Sequence, residues 1–135
     1  ELASRLMERI ADHCLGPVAI GQALVFDDQY ISTGGQLYEL AAGHDRFLAD
    51  LRPLFYRIRG LPPGLCVHPY DVASALIATE AGVEITDGLG GPLDGPLDVV
   101  TPLSWAGYAN GELRALVEPV MVAALRAWLT AAPRG

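Results

Sequence analysis

The most informative segment of the chain spans residues 68–87 and reads HPYDVASALIATEAGVEITD. Asp71 stands directly before apolar residues at helical spacing, and Gly82 follows where such a helix would end. We therefore expect a helix over 72–81 that is capped by Asp71, followed by a short strand over 83–86. The carboxylate is most simply a helix cap. It also suits Mg²⁺, which prefers oxygen ligands, and spacing alone does not distinguish the two roles.

Helices and short apolar strands alternate on both sides of this segment. The pattern predicts helices over 1–15, 35–42 and 111–130, strands over 18–26, 46–51 and 103–108, and a long loop over 52–67. Pro119 predicts a break or kink in the last helix. This alternation is typical of an α/β fold, and we expect a layered α-β-α domain with a central mixed sheet. No internal boundary is visible, so residues 1–135 are predicted to form a single domain.

Composition excludes several classes of protein. The chain has 135 residues, of which 51% are hydrophobic, and this is enough for one globular core without disulfides. Nine basic residues against sixteen acidic ones give a net charge of −7, which argues against nucleic acid and anionic membranes as partners. Only two cysteines occur, and no stretch resembles a signal peptide or a membrane span, so we expect a cytoplasmic protein.

Five short motifs follow one another in an order that is more specific than any one of them. They are His68-Pro69-Tyr70-Asp71, Glu80-Ala81-Gly82, a strand closing on Asp87, Gly90-Gly91-Pro92-Leu93-Asp94, and Ala109-Asn110. In this combination the chain resembles the C-terminal half of the inositol monophosphatase family, whose members are Mg²⁺-dependent phosphatases related to fructose 1,6-bisphosphatase. The resemblance implies the C-terminal half of a sugar-phosphatase fold.

The resemblance also implies a role for Asp71. In the family, the aspartate of an aromatic-Asp pair coordinates a catalytic metal and supports activation of the attacking water, so Asp71 is the expected metal ligand and catalytic residue. Tyr70 stands where the family usually has tryptophan. A bound metal lowers the pKa of water and offsets charge on a transferring phosphoryl group, which gives this role a physical basis.

Substrate contacts are implied for two further stretches. Gly34, Gly35 and Gln36 match the family's helix start beside the substrate, where free amides favour an anion, although a plain helix start is the simpler interpretation. His44 and Asp50 are the expected contacts to substrate hydroxyls. The glutamate that the family normally places near Asp50 is absent, so the substrate need not be an inositol phosphate.

Other groups in the middle of the chain leave alternatives open. Arg52, Arg57 and Arg59 could reach a phosphate or sulfate, or could simply be solvated. Cys66 and His68 could be combined into a zinc site or a nucleophile with its base, but they lack the paired spacing of a zinc site.

The expected function is hydrolysis of a small inositol-phosphate-like or sugar-phosphate-like ester by metal-activated water, without a covalent intermediate. The family's remaining metal ligands lie in an N-terminal half with an Asp-Pro-Ile-Asp-Gly-Thr loop, and no such loop occurs in these 135 residues. We therefore expect Mg²⁺ as cofactor, a small phosphorylated metabolite as ligand, and an N-terminal half or second subunit as partner. This chain alone should be inactive. The alternative is a non-catalytic binding or interaction module, including a homodimer formed through an uncovered apolar face.

Overall fold

A computed structural model of the chain describes residues 1–17 and 32–132. In chain order its elements are α1 (Leu2–Leu15), α2 (Thr33–Ala41), β1 (Phe47–Asp50), α3 (Arg52–Ile58), a 3₁₀ turn (Pro69–Val72), α4 (Ala75–Glu80), β2 (Glu84–Thr86), β3 (Trp105–Tyr108) and α5 (Gly111–Ala131). The α/β class is therefore confirmed. The strand predicted over 18–26 lies outside the described residues. No described helix combines the length and the apolar character needed to cross a membrane.

The three strands form a small sheet in the order β1-β3-β2. Both pairings are antiparallel, with Asp50 opposite Trp105 in one and Thr86 opposite Ala106 in the other. Within the described part of the chain the sheet is antiparallel throughout, whereas a mixed sheet was expected with a further strand over 18–26, which lies outside that part. Strand direction depends on how the connections return the chain to the sheet, and local sequence patterns do not encode it.

The central strand β3 separates two apolar cores. Trp105 packs with Leu37 and Leu40 of α2 on one face of the sheet. On the opposite face, Ala106 and Tyr108 pack in a core to which α1, α3 and α5 contribute. This alternation follows from the two-residue period of a strand, which points successive side chains to opposite faces. The described elements are thus layered as helices, sheet and helices.

The last helix is continuous from Gly111 to Ala131, so the break predicted as one outcome at Pro119 is wrong, whereas the other outcome, a kink, stays a prediction. Proline removes one backbone donor and crowds the preceding turn, which disfavours a helix interior. Here the residues on both sides of it are anchored, because Val117 and Met121 are buried in the core shared with α1. We attribute the continuity of α5 to this packing, which offsets the local cost of the proline.

An ionic network joins α5 to the sheet. Arg114 Nη1 lies 2.8 Å from Glu84 Oε2 on β2, and its Nε donates to Glu118 Oε1 at 3.1 Å. The buried Tyr108 hydroxyl donates to the other Glu118 oxygen over 3.4 Å, a weak hydrogen bond. The network therefore connects the edge strand, the central strand and the helix through charged groups.

Two middle segments differ from the sequence-based prediction. Residues 52–58 form α3, although they were predicted as loop. Pro53 occupies the second position of this helix, where its missing amide hydrogen costs no helical bond. The helix predicted over 72–81 is shorter than expected, because a 3₁₀ turn ends at Val72 and α4 begins only at Ala75.

Candidate functional site

Asp71 lies in the 3₁₀ turn, as its third residue and not as the residue that precedes a helix. Its Oδ2 accepts a hydrogen bond of 2.9 Å from the backbone amide of His68, the residue before the turn. The His68 ring nitrogen Nδ1 lies 3.7 Å from the same oxygen. No residue in the described ranges donates to the other oxygen, Oδ1, and the side chain is 28% exposed. The carboxylate therefore fixes its own turn through one oxygen and keeps the other available.

The aromatic residue of the motif does not cover this carboxylate. Tyr70 is exposed, and its ring lies parallel to the imidazole of His68, with 6.0 Å between the ring centroids. The two rings stack along the outside of the 3₁₀ turn. Because Tyr70 belongs to the 3₁₀ turn, this stacking couples the orientation of the His68 ring to the turn that contains Asp71.

The start of α2 approaches the chain close to Asp71. Ser32 caps this helix, because its Oγ accepts a 3.2 Å hydrogen bond from the Gly35 amide. A β-carbon built on Gly34 would lie 3.4 Å from Oγ of Ser74, which is three residues beyond Asp71. A β-carbon at position 34 would thus make an ordinary van der Waals contact, and the two segments pack side by side at this point.

A shallow groove of about 110 Å³ runs from this contact along α2 and α4. Gly34 and Ser74 line one end, and the remaining lining consists of apolar side chains such as Leu37 and Ile77. Asp71 is not among the residues that line it. The groove beside the glycines therefore has the character of an apolar contact surface, and it contributes no charged group to a phosphate site.

Asp50 and Arg52 lie at the end of β1, next to the chain segment that leads into the 3₁₀ turn. Asp50, at the end of β1, is opposite Trp105, and a second antiparallel bridge joins Val67 to Leu103 just before β3. Two residues of strand span about 7 Å. The end of β1 and the segment that leads into the 3₁₀ turn consequently converge on the beginning of β3.

The Asp50 carboxylate binds Arg52 through several hydrogen bonds. Both of its oxygens accept from Arg52 Nε, at 2.9 and 3.0 Å, and Oδ1 also accepts from the Arg52 backbone amide at 3.2 Å. Asp50 is 12% exposed, whereas the Arg52 side chain is 44% exposed. Of the two side chains, the Arg52 guanidinium is therefore the one that mainly faces solvent. The sequence alone did not show that Asp50 holds this arginine in place.

His44 lies away from the other predicted substrate contacts. It follows the C-terminal end of α2, and its Nδ1 lies 2.7 Å from Glu39 Oε2. A helix rises about 1.5 Å per residue, so Gly34 and Ala41, the last residue of α2, lie roughly 10 Å apart, and His44 is at the far end of the helix from Gly34. The structure therefore does not bring His44 and the glycines together around one small molecule. Gln36 lies in the first turn of α2, where its amide donates to the Ser32 carbonyl.

The other motifs have clear local roles. Asp87 Oδ1 accepts from the amides of Leu89 and Gly91, at 2.8 and 2.9 Å, and this closes the glycine-rich turn. A β-carbon at Gly91 would lie 2.8 Å from Asp87 Oδ2, so the turn needs glycine there. Asn110 caps α5 by accepting from the Leu113 amide. These hydrogen bonds account for both motifs without a ligand.

The described side chains form at most part of a metal site. Within residues 1–17 and 32–132, no three His, Cys, Asp or Glu side chains group closely enough to hold a metal ion. Mg²⁺ keeps several waters and commonly takes one or two protein carboxylates, so Asp71 Oδ1 fits one ligand position. Burial raises the pKa of the Cys66 thiol, which favours the protonated form and argues against a nucleophilic thiolate.

Comparison with protein-family models, with curated proteins and with solved structures found no match to this chain. The resemblance to the inositol monophosphatase family consequently rests on the five motifs alone, and the family assignment stays a prediction.

Proposed function

We propose that the chain forms the C-terminal α/β part of a Mg²⁺-dependent phosphatase that hydrolyses a small phosphomonoester of the inositol-phosphate or sugar-phosphate kind. The observation that carries the proposal is the geometry of Asp71. One carboxylate oxygen is held by the His68 amide, and the other is partly exposed without a described donor. A carboxylate in this state is ready to accept a cation with little further loss of side-chain freedom.

Asp71 would hold the ion together with ligands from an N-terminal half or a second subunit. Mg²⁺ bound there would lower the pKa of the attacking water and offset negative charge on the phosphoryl group. This chain contributes the carboxylate, its orientation through His68, and the close approach of Gly34 to the same segment. A cytoplasmic location is part of the same proposal.

A second candidate function is a non-catalytic module that keeps half of the fold. It is favoured by the apolar groove beside Gly34, which offers contact surface without a charged group in its lining. The cap formed by Asp71 also accounts for its position without a metal. In this case the groove face would contact an N-terminal half or a second copy of the chain.

The decisive experiment measures Mg²⁺-dependent hydrolysis of a panel of inositol and sugar phosphates by the full-length protein and by Asp71→Asn. Asparagine keeps an oxygen for the His68 amide, so we expect a stability loss below about 1 kcal/mol. Turnover should fall on the order of a hundredfold, because the amide oxygen lacks the charge that binds a hard cation.

Asp94→Asn is the matched control, since Asp94 accepts a hydrogen bond from the neighbouring Gly95 amide and from no other of the residues that the structure describes. It should retain full turnover. The phosphatase proposal is wrong if Asp71→Asn remains folded and hydrolyses the substrate with the wild-type dependence on Mg²⁺. Absence of any Mg²⁺-dependent turnover in the wild-type protein would favour the module.

A further inference from the structure

Two aspartates of the chain directly precede glycine, Asp87 and Asp94, and their carboxylates are held differently. Asp94 and Gly95 are both exposed and lie outside the helices and strands. The Gly95 amide donates to Asp94 Oδ1 over 2.8 Å, a hydrogen bond between neighbouring residues. One carbon–oxygen bond measures about 1.2 Å, so the carboxyl carbon Cγ of Asp94 lies within roughly 4 Å of the Gly95 nitrogen.

This contact brings together the two atoms that react when an aspartyl residue isomerises. The amide nitrogen of the following residue attacks Cγ of the protonated carboxyl group, the hydroxyl leaves with the amide proton as water, and a succinimide ring forms. Near-attack geometries hold the reacting atoms about 3–3.5 Å apart, so a small rotation of the Asp94 side chain is enough. Glycine favours the step, because it places no β-carbon beside the attacking nitrogen and permits the backbone to rotate.

The second Asp-Gly pair is held out of this geometry. Asp87 Oδ1 accepts from the amides of Leu89 and Gly91, at 2.8 and 2.9 Å, so its carboxylate is tied to residues further along the turn. Among the described contacts, the Gly88 amide makes none with this carboxylate. Gly88 is buried, and a β-carbon there would lie 2.6 Å from Leu51 Cδ2. Its backbone therefore has little room to rotate toward Asp87, and water has little access to it.

We propose that Asp94-Gly95 is a site of covalent modification, at which the folded protein converts aspartate to isoaspartate through the succinimide. Water opens the ring at either carbonyl. Addition at Cγ restores aspartate, whereas addition at the former main-chain carbonyl leaves the chain running through Cγ and releases a free α-carboxylate. One water is lost and one is gained, so the mass does not change.

The modification alters the main chain between two packed residues. Isoaspartate adds one methylene to the backbone between Leu93, which packs against the core around Trp105, and Gly95, which lies against Leu103. The inference is independent of the proposed phosphatase activity, because the reaction needs only the Asp94 carboxyl, the Gly95 amide and water.

The test incubates the full-length protein in mildly acidic buffer made with water that is labelled with heavy oxygen, because only the protonated carboxyl has a leaving hydroxyl. One labelled oxygen enters for every ring that is hydrolysed, whichever carbonyl the water attacks. Digestion in ordinary water and peptide mapping then assign the label to Asp94 or to Asp87. Electron-transfer fragmentation of the same peptides distinguishes isoaspartate from aspartate.

In the folded protein, label and isoaspartate should accumulate at Asp94 roughly tenfold or more faster than at Asp87, because two hydrogen bonds must break before Asp87 reacts. In urea both pairs become solvated dipeptides, so the two rates should agree within about threefold. Asp94→Glu is the matched variant. It keeps the charge but would need a six-membered ring, so it should fold normally, lose the reaction at position 94 and leave the rate at Asp87 unchanged.

Equal rates at the two positions in the folded protein, or a faster rate at Asp87, would overturn the inference. So would the absence of reaction at Asp94 in the folded protein over a time in which the urea-unfolded chain reacts at both positions. Label that still enters position 94 in Asp94→Glu would show oxygen exchange without a ring, and it would refute the inference as well.

Discussion

Gly107 should be among the least replaceable residues of the chain, because it lies where α2 presses on the central strand. A β-carbon built there would lie 2.6 Å from Leu40 Cδ1 and 2.9 Å from Trp105 Cζ3. Carbon atoms normally approach to about 3.5–4.0 Å, so each neighbour would have to move by roughly 1 Å. Leu40 and Trp105 are both fully buried, which leaves little room for that movement.

Overpacking of this kind costs about 1–3 kcal/mol, and we expect Gly107→Ala to lower the free energy of unfolding by about 2 kcal/mol. With an unfolding entropy of about 2.1 cal/mol/K per residue, the melting temperature should fall by roughly 7 °C over 135 residues. Thermal unfolding followed by circular dichroism measures this directly. Displacement of α2 should also weaken any ligand binding that depends on its first turn.

Gly111→Ala is the matched control, since a β-carbon there meets only Glu84 Oε1 at 3.4 Å. Alanine in the first turn of α5 should leave the melting temperature unchanged or raise it slightly, because glycine is a poor helix former. If Gly107→Ala melts within about 2 °C of the wild-type protein, the close packing of α2 on β3 described above is incorrect.

Two further predictions concern the C-terminal half. Burial, and then the charge of Glu118, raise the pKa of Tyr108 above its usual value, so the folded protein holds this phenol proton more tightly than the unfolded chain. The contribution of Tyr108 to stability should therefore be constant below about pH 10 and fall above it, so Tyr108→Phe should weaken the loss of stability above that pH. Urea midpoints of both proteins from about pH 8 to about pH 11 test this, and parallel curves for the two proteins would contradict it. Asn110→Ala should lower the free energy of unfolding by about 1 kcal/mol, because it removes the cap of α5, whereas Asn110→Asp keeps a capping oxygen and should not. Equal melting temperatures for the two variants would exclude the cap.

The parts of the fold that the sequence predicted are those set by local chemistry. The first and last helices and the three described strands agree with the periodicity of the sequence, and α2 begins at Thr33, two residues before the predicted start. The direction of strand pairing was not predictable, because it depends on contacts between segments far apart in the chain. Helix α3 was missed because Pro53 and the prolines and glycines of residues 60–64 suggested one long loop, whereas Pro53 stands at a helical position that tolerates it.

The candidate site was predictable to a similar degree. Asp71 was identified at the beginning of a helical turn, but the sequence did not show that its carboxylate reaches back to His68. The pairing of Asp50 with Arg52 was also missed. An acidic residue ending a strand, followed two positions later by arginine at the first position of a helix, is the local signal that would have indicated it.

The two interpretations of Asp71 are physically compatible. A metal ligand must present an oxygen in a fixed direction, and outer hydrogen bonds commonly provide that direction. The bond from the His68 amide to Oδ2 performs this function, because it holds one carboxylate oxygen and leaves Oδ1 without a donor among the described residues. Loss of the cap in Asp71→Ala would therefore lower both stability and metal binding, whereas Asp71→Asn separates them. The asparagine variant, and not the alanine variant, distinguishes a ligand from a cap.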